Sequence, residues 1–331
     1  MIENIRSALK RIKTRVRTHP YICGLLRYLD EATLGRALAR YADDKNLAVL
    51  ILMPGSLHLG LLAEEYLARF KNVLLIQNGL SAQEVAIVER KGGRNKIRLR
   101  TMTLHDRIID VLLHSLNEPF WIVDHDCYLF SDALFAESNE PQTEAGQAVF
   151  AFHNEGLNAL IPETFLMRLN PRVLRNVSKR FSVTARVYTH EELPDKARYL
   201  LETAGWNSEN YPEPHKKYYD TLRVLFLLCQ SLGCGPRICP GYSTRCEIHR
   251  EVVHIGNTSR PQWSIDPAFY NAIGAYFWKL SLLEQDDIRQ LESYRIRALN
   301  LPSLDYMRDQ LVHAGCCLEL LSRLELVAKG L

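Results

Sequence analysis

Short apolar runs alternate with helical patterns from residue 47 to residue 135, and turn-forming residues separate them. Apolar runs of this length predict buried strands, and the spacing between them is typical of amphipathic helices. The predicted strands cover 47–53, 73–76, 96–100 and 119–123, and the predicted helices cover 61–70, 82–90 and 106–116. This alternation is typical of βα units, and it predicts an α/β fold with a mainly parallel sheet flanked by helices.

The pattern becomes less regular after residue 148. The predictions for this part are strands at 149–152 and 185–188, a loop at 205–214, an apolar helix from Asp220 to about Leu232, and helices from residue 261 onward. These patterns divide the chain into a basic N-terminal helical arm at 1–46, an α/β domain at 47–260 and a helical C-terminal extension at 261–331.

The composition is that of an ordinary globular protein, since 47% of the 331 residues are hydrophobic and 24% are charged. The formal charge is only +3, and the excess is concentrated in residues 1–17, where six Lys and Arg residues stand against Glu3. The rest of the chain is nearly neutral and lacks the broad cationic surface of a nucleic-acid-binding protein. We therefore expect no nucleic-acid partner.

Signals for secretion or membrane insertion are absent from the pattern. The eight cysteines are scattered in a chain long enough to fold without disulfides, which favours a reducing compartment. The apolar stretches fall far short of the roughly 20 residues of a spanning helix, and the basic N-terminus lacks the apolar core of a signal peptide. We expect a soluble cytoplasmic protein.

Residues 1–17 place apolar side chains at helical spacing with cations between them. Such a helix either lies on an anionic membrane surface or packs on the domain with its cations in solvent. The first interpretation predicts peripheral contact with the inner face of a membrane, and both interpretations stay open. The apolar positions are Ile5, Leu9, Ile12 and Val16.

The strongest chemical signal is a pair of carboxylates, Asp124 and Asp126, directly after the apolar strand at 119–123. Side chains alternate along an extended chain, so residues i and i+2 face the same side. Two carboxylates suit Mg²⁺ or Mn²⁺, which keep coordination positions open for phosphate groups. Because the motif is short, a pair of solvated acids at the start of a turn is the alternative interpretation.

Four other segments accompany this pair in order along the chain. Residues 51–56 contain the end of the first predicted strand and the Pro-Gly-Ser that follows it. Residues 74–81 contain the end of the second predicted strand and the Gln-Asn-Gly that follows it. Residues 218–221 open a predicted apolar helix, and residues 252–259 contain His254 shortly before a glycine.

In this order and at these separations, the segments and the Asp-x-Asp motif resemble the GT-A-fold nucleotide-sugar glycosyltransferases, and among them the inverting, family-2-like enzymes. The resemblance implies a mixed, mainly parallel Rossmann-like sheet and transfer of a hexose to an acceptor hydroxyl. It implies a nucleoside-diphosphate-sugar donor, with a UDP-sugar expected, and Mn²⁺ or Mg²⁺ as the metal. It also implies a glycan or lipid-linked acceptor in surface polysaccharide synthesis.

The resemblance further implies a role for each matching residue. Asp124 contacts the ribose or the metal, Asp126 binds the metal and the diphosphate, His254 binds the metal or the diphosphate, and Asp220 is the catalytic base. Amides replace the two acids of the family's second segment. The implied nucleotide contacts are Pro54, Gly55, Ser56, Gln77, Asn78 and Asp124.

The loop at 205–214 and the residues after it are rich in aromatic side chains, whose flat faces pack well on sugar rings. We expect the acceptor to bind there, and packing in the core is the alternative interpretation. The aromatic residues are Trp206, Tyr211, Tyr218 and Tyr219.

Several alternatives stay open. Asp220 also has the position of a helix N-cap, and His254 has the apolar neighbours of a core histidine. An aspartate-nucleophile phosphatase also begins with a strand and an Asp-x-Asp motif, and a catalytically silent module of the same fold would keep the same pattern. A structural zinc site is a weaker alternative, on Cys234, Cys239, Cys246 and His249.

Overall fold

The computed structural model of the chain describes residues 20–137, 147–153, 162–213, 216–239, 252–255 and 267–331. The apolar and basic positions of residues 1–17, Gly256 and two of the four zinc candidates, Cys246 and His249, lie outside these ranges. The strands are β1 Leu47–Leu52, β2 Asn72–Asn78, β3 Lys96–Leu99, β4 Phe120–Val123, β5 Cys127–Leu129, β6 Val149–His153, β7 Pro162–Leu169, β8 Arg237–Cys239 and β9 Val252–His254.

The helices alternate with the strands in the N-terminal half and dominate the C-terminal part. They are α1 Pro20–Leu38, α2 Leu57–Ala68, α3 Ala82–Lys91, α4 His105–Ser115, α5 Ala133–Glu137, α6 Pro171–Phe181, α7 Asp195–Thr203, α8 Arg223–Ser231, α9 Pro267–Leu283, α10 Asp286–Arg289, α11 Glu292–Leu299, α12 Leu304–His313 and α13 Leu318–Ala328.

Within the described ranges, seven strands form one sheet in the order β3-β2-β1-β4-β7-β6-β8. The first four are mutually parallel, β7 runs antiparallel to both of its neighbours, and β8 is parallel to β6. The remaining strands, β5 and β9, form a separate antiparallel pair. The architecture therefore confirms the predicted α/β fold with a mainly parallel sheet flanked by helices.

Hydrophobic layers cover both faces of the sheet. Side chains of β1 alternate between the two layers, with Leu50 in one and Val49 in the other, as a strand buried on both faces requires. The helices α2, α3, α9 and α11–α13 contribute to the first layer, and α1, α4 and α6–α8 contribute to the second. The C-terminal helices thus share a hydrophobic core with the sheet.

Two predicted elements differ from the observed ones. Residues 185–188 do not form a strand, since only an isolated bridge joins Tyr188 to Tyr219. The helix expected from Asp220 begins at Arg223, after Leu222 takes a left-handed backbone conformation with φ of 67°. Asp220 therefore lies outside the helix, and its proposed role as N-cap is wrong.

No helix in the described part of the chain is long and apolar enough to cross a membrane.

A buried histidine, His58, joins α2 to the C-terminal helices. Its ring makes edge contacts with Trp278 and Tyr294, and its Nε2–H donates to the Trp278 carbonyl oxygen at 3.0 Å. Burial lowers the pKa of His58 to about 3, and the hydrogen bond to the Trp278 carbonyl opposes this shift only in part. The native protein therefore keeps this imidazole neutral.

We expect stability to fall as the pH falls from about 6.5 towards 3, because the unfolded chain binds a proton at this histidine and the folded chain does not. From pH 7 to pH 5, proton uptake by His58 in the unfolded chain should lower the free energy of unfolding by about 2 kcal/mol. Urea unfolding of His58→Gln should show a pH dependence smaller by this amount. His313→Gln, at an exposed position, is the control, and an unchanged pH dependence in His58→Gln would contradict the assignment.

Candidate functional site

The site lies where the strand order reverses direction. Strands β2 and β3 follow β1 on one side of the sheet, and the next strand, β4, pairs with β1 on its other side. In open α/β sheets the crevice outside the carboxyl ends of such strands is the usual place for ligands. Two loops leave the sheet at this edge, residues 53–56 after β1 and residues 124–126 after β4.

Main-chain hydrogen bonds hold the turn that carries the two aspartates. The Asp124 N–H donates to the Phe165 carbonyl oxygen of β7 at 2.8 Å, which extends the pairing of β4 and β7 by one residue. The chain then enters β5, where Cys127 lies opposite His254 of β9. The Ile255 N–H donates to the Asp126 carbonyl oxygen at 3.1 Å. Pairing of β5 with β9 thus brings His254 beside the aspartate turn.

Asp124, Asp126 and His254 form a cluster whose ligand atoms all lie within 4.8 Å of one another. His254 Nε2 is 3.6 Å from Asp126 Oδ1. The imidazole ring stacks on Phe165, with ring centroids 4.1 Å apart and an interplanar angle of 8°. Asp126 is buried, whereas Asp124 and His254 are partly exposed. The three residues expected to bind metal therefore lie together, and the stacking fixes the plane of the histidine ring.

The electrostatics of this cluster favour a cation. Burial raises the pKa of the Asp124 carboxyl, and the negative charge of Asp126 raises it further, against opposing effects of the histidines His105, His254 and His125. Two close carboxylates in a low-dielectric environment repel each other unless a positive charge lies between them. Two carboxylate oxygens and one imidazole nitrogen form a donor set that fits Mn²⁺ or Mg²⁺.

The loop after β1 is held by the C-terminal helices. The Gly55 carbonyl oxygen accepts a hydrogen bond from Trp278 Nε1 at 3.0 Å, and the Gly55 N–H donates to Glu84 Oε1 at 3.0 Å. Gly55 has φ of 84°, a left-handed conformation that favours glycine. Ser56 is buried and its hydroxyl donates to the Met53 carbonyl oxygen. Pro54 is exposed at the tip of the loop, beside the crevice.

The two amides at the end of β2 have partners inside the protein. Gln77 Nε2 donates to Glu89 Oε1 of α3 at 3.0 Å. Asn78 is buried, and its amide exchanges two hydrogen bonds with the backbone of Thr103, each of 2.8 Å. The next residue, Gly79, has φ of 70° and no room for a Cβ against Met102. Gln77 and Asn78 therefore organise this edge of the sheet, and their contact with a nucleotide stays a prediction.

Asp220 lies in a cluster of ion pairs. Its Oδ2 accepts from Lys216 Nζ at 2.5 Å, and its Oδ1 accepts from the Thr221 N–H at 2.7 Å. Burial alone would raise the pKa of Asp220, but the hydrogen bond and charge of Lys216 outweigh it and leave this pKa lowered. Lys216 also pairs with Glu213, whose other oxygen binds the buried Arg223. The carboxylate of Asp220 is thus stabilised as an anion.

Two of the four aromatic residues expected to bind the acceptor lie in the core. Tyr219 is completely buried and Tyr211 nearly so, with ring centroids 4.8 Å apart. The Tyr211 hydroxyl accepts a hydrogen bond from the His190 N–H, and the Tyr219 hydroxyl forms a hydrogen bond with His190 Nδ1. Neither ring offers a free face to a sugar, so the acceptor role of these two tyrosines is wrong. Trp206 and Tyr218 are partly exposed and keep this role as a prediction.

Glu163 is a further carboxylate near the cluster, and it is absent from the residues predicted from the sequence. It lies at the start of β7, two residues before the Phe165 that stacks on His254. The charges of His254 and Asp124 both affect its pKa, so its carboxylate lies within electrostatic range of the cluster. The only apolar run in this strand is the short 165–167, which Arg168 interrupts, and nothing in the sequence marks Glu163.

Comparison with known families matches residues 29–174 to the StrH glycosyltransferase N-terminal domain, a range that covers less than half of the chain and includes both aspartates of the cluster. No curated protein is significantly similar in sequence. A solved structure, the glycosyltransferase GlyE of Streptococcus pneumoniae TIGR4, is similar at 12% identity with a TM-score of 0.38, over 70% of this chain. The match spans 60% of the length of that protein. The N-terminal half of the chain is therefore similar to a glycosyltransferase domain, which supports a transferase.

Proposed function

We propose that this protein is a metal-dependent glycosyltransferase that moves a sugar from a nucleoside-diphosphate-sugar to an acceptor hydroxyl. One observation carries the proposal: Asp124, Asp126 and His254 converge at the crevice beside β1 and β4, and both aspartates lie in the region that matches a glycosyltransferase domain. The donor set, its burial and its place in the sheet all suit the diphosphate of such a donor.

The residues of the cluster have separate tasks in this proposal. Asp126, Asp124 and His254 would hold a divalent cation, which would supply positive charge opposite the departing diphosphate. Asp126 is the buried ligand, and the stacked Phe165 ring keeps the His254 imidazole oriented. Asp124 would share the metal or contact the ribose. The loop at 54–56 positions the nucleotide, since Trp278 fixes its backbone.

The substrates follow from the same proposal. The donor is a UDP-sugar and the reaction is of hexosyltransferase type. The acceptor is a glycan or a lipid-linked sugar that packs against Trp206 and Tyr218, in the synthesis of a surface polysaccharide. We place the protein in the cytoplasm, with residues 1–17 in contact with the inner face of the membrane.

A donor panel tests the proposal. The full chain is incubated with UDP-, GDP- and dTDP-hexoses, with Mn²⁺ or with EDTA, and release of the nucleoside diphosphate is measured with water or simple glycosides as acceptors. We expect metal-dependent release from at least one donor. If no donor is consumed, and the protein instead hydrolyses p-nitrophenyl phosphate in a reaction lost in Asp124→Asn, the protein is a phosphatase and the proposal is wrong.

A further inference from the structure

A glycosyl transfer that inverts the anomeric carbon needs a group that takes the proton of the acceptor hydroxyl. The family resemblance implies Asp220 in that role. Its two carboxylate oxygens already accept hydrogen bonds from Lys216 and from the Thr221 N–H, and its lowered pKa makes it a weak base. The geometry around β7 offers a different carboxylate.

The first residues of β7 extend beyond the carboxyl end of β4. The last residue pair of these two strands joins Val123 to Leu166, and Asp124 still donates its N–H to the Phe165 carbonyl oxygen. Because β7 is antiparallel to β4, its N-terminal end lies at the edge that carries the cluster. The pairing of β7 with β6 is irregular between Met167 and Pro162, so side-chain alternation does not fix the direction of Glu163. The charges of His254 and Asp124 both act on its carboxyl, and the Phe165 ring, two residues further on, stacks on His254. Glu163 therefore lies near the metal cluster.

The backbone that carries Glu163 is firmly held. Arg223 Nη1 donates to the carbonyl oxygen of Pro162 at 2.9 Å, and the same guanidinium binds Glu213 through two further hydrogen bonds to Oε1. Arg223 and Glu213 are both buried. In the described part of the chain, by contrast, no donor hydrogen-bonds the Glu163 carboxylate, which is partly exposed. A fixed backbone thus presents a carboxylate with free acceptor capacity.

The charges around Glu163 suit a proton acceptor. Burial raises the pKa of its carboxyl, with Glu213 and Asp124 acting in the same direction and Arg223 and His254 acting against them. A raised pKa makes a carboxylate a stronger base. The residue therefore combines a place beside the cluster with the basicity that the reaction needs.

We propose that Glu163, and not Asp220, is the catalytic residue that accepts the proton of the acceptor hydroxyl. This inference rests on the proposed glycosyl transfer. The acceptor oxygen forms a bond to the anomeric carbon, and the bond from that carbon to the diphosphate oxygen breaks. The electron pair of the broken bond leaves with the nucleoside diphosphate. The hydroxyl proton passes to Glu163 and then to solvent, which restores the carboxylate.

The test compares variants of the full chain with the donor that the panel identifies. We expect Glu163→Gln to lower kcat by about 10²- to 10⁴-fold, while binding of the nucleoside diphosphate with Mn²⁺ changes less than about threefold. Formate should partly restore Glu163→Ala, because a small carboxylate can replace the missing base. Glu284→Gln, at an exposed position, is the control.

Each other outcome counts against the inference. If Glu163→Gln keeps turnover within about threefold, or if it loses nucleotide binding, Glu163 does not act as the base. The inference is also overturned if Asp220→Asn loses more turnover than Glu163→Gln while both variants bind nucleotide. A wild-type protein that consumes no donor contradicts the proposed function itself, a result that the variants cannot produce.

Discussion

Replacement of Asp126 by asparagine is expected to lower donor turnover by about 10²- to 10³-fold, the size of effect seen when one electrostatic contact to the developing charge is lost. Asp126 is the buried member of the metal cluster, and its Oδ1 lies 3.6 Å from His254 Nε2. Asparagine has nearly the same shape but lacks the negative charge, so the cation is held less tightly. The fold should survive, because the Asp126 carbonyl that binds the Ile255 N–H is unchanged.

Turnover is measured over a range of Mn²⁺ concentrations for the wild type and Asp126→Asn. We expect the variant to need more Mn²⁺ for half-maximal turnover as well as to have a lower maximum. Asp309→Asn, an exposed position on α12, is the matched control and should behave as the wild type does. Equal Mn²⁺ dependence in Asp126→Asn and the wild type would remove this residue from the metal site.

The largest effect on stability is expected for Arg223→Met, at about 3 kcal/mol of unfolding free energy, the lower part of the range for loss of one partner of a buried ion pair. The side chains of Arg223 and Glu213 are each about 6% exposed and pair at 3.0 Å. The substitution leaves the Glu213 carboxylate buried and removes the donor to the Pro162 carbonyl. Lys216 still pairs with Glu213, which limits the loss.

Urea unfolding at neutral pH measures this difference. Arg90→Met is the matched control, because Arg90 and Asp287 form an ion pair at 3.6 Å with exposed side chains. Solvent screens such a pair, so we expect a loss below about 1 kcal/mol. A loss in Arg223→Met no larger than in Arg90→Met would mean that the buried pair contributes little to the fold.

The parallel part of the sheet could be predicted because each of its strands is a local feature. The run 47–52 is apolar throughout, as a strand covered on both faces requires, and turn formers follow it directly. The apolar run at 119–123 likewise predicts that Asp124 and Asp126 lie at the carboxyl end of β4. Once the strand is correct, the position of the two carboxylates at the binding edge follows from parallel topology alone.

The pairing that completes the site could not be predicted from periodicity. Both β5 and β9 have only three residues, and they pair across more than a hundred residues of chain. No local pattern marks so short a strand. His254 was connected to the aspartates only by resemblance to a family, and β7, which provides Phe165 and Glu163, was missed because polar Arg168 interrupts its short apolar run.

The errors around Asp220 have a physical reason. An aspartate before an apolar helical pattern is typical of an N-cap, but Leu222 adopts φ of 67° and delays the helix to Arg223. The sequence also could not show that Tyr211 and Tyr219 are buried, because an aromatic residue in a polar loop is equally compatible with a sugar site and with a core position. Contacts with His190, distant in sequence from Tyr211 and Tyr219, decide between the two.

The most direct test of the central claim is calorimetric titration of the full chain with UDP, GDP and dTDP, each in the presence of Mn²⁺ and in the presence of EDTA. The metal cluster predicts that at least one nucleoside diphosphate binds with Mn²⁺ and that EDTA abolishes or strongly weakens this binding. Binding of none of the three nucleotides in either condition, or equal binding in both, would contradict a metal-dependent glycosyltransferase.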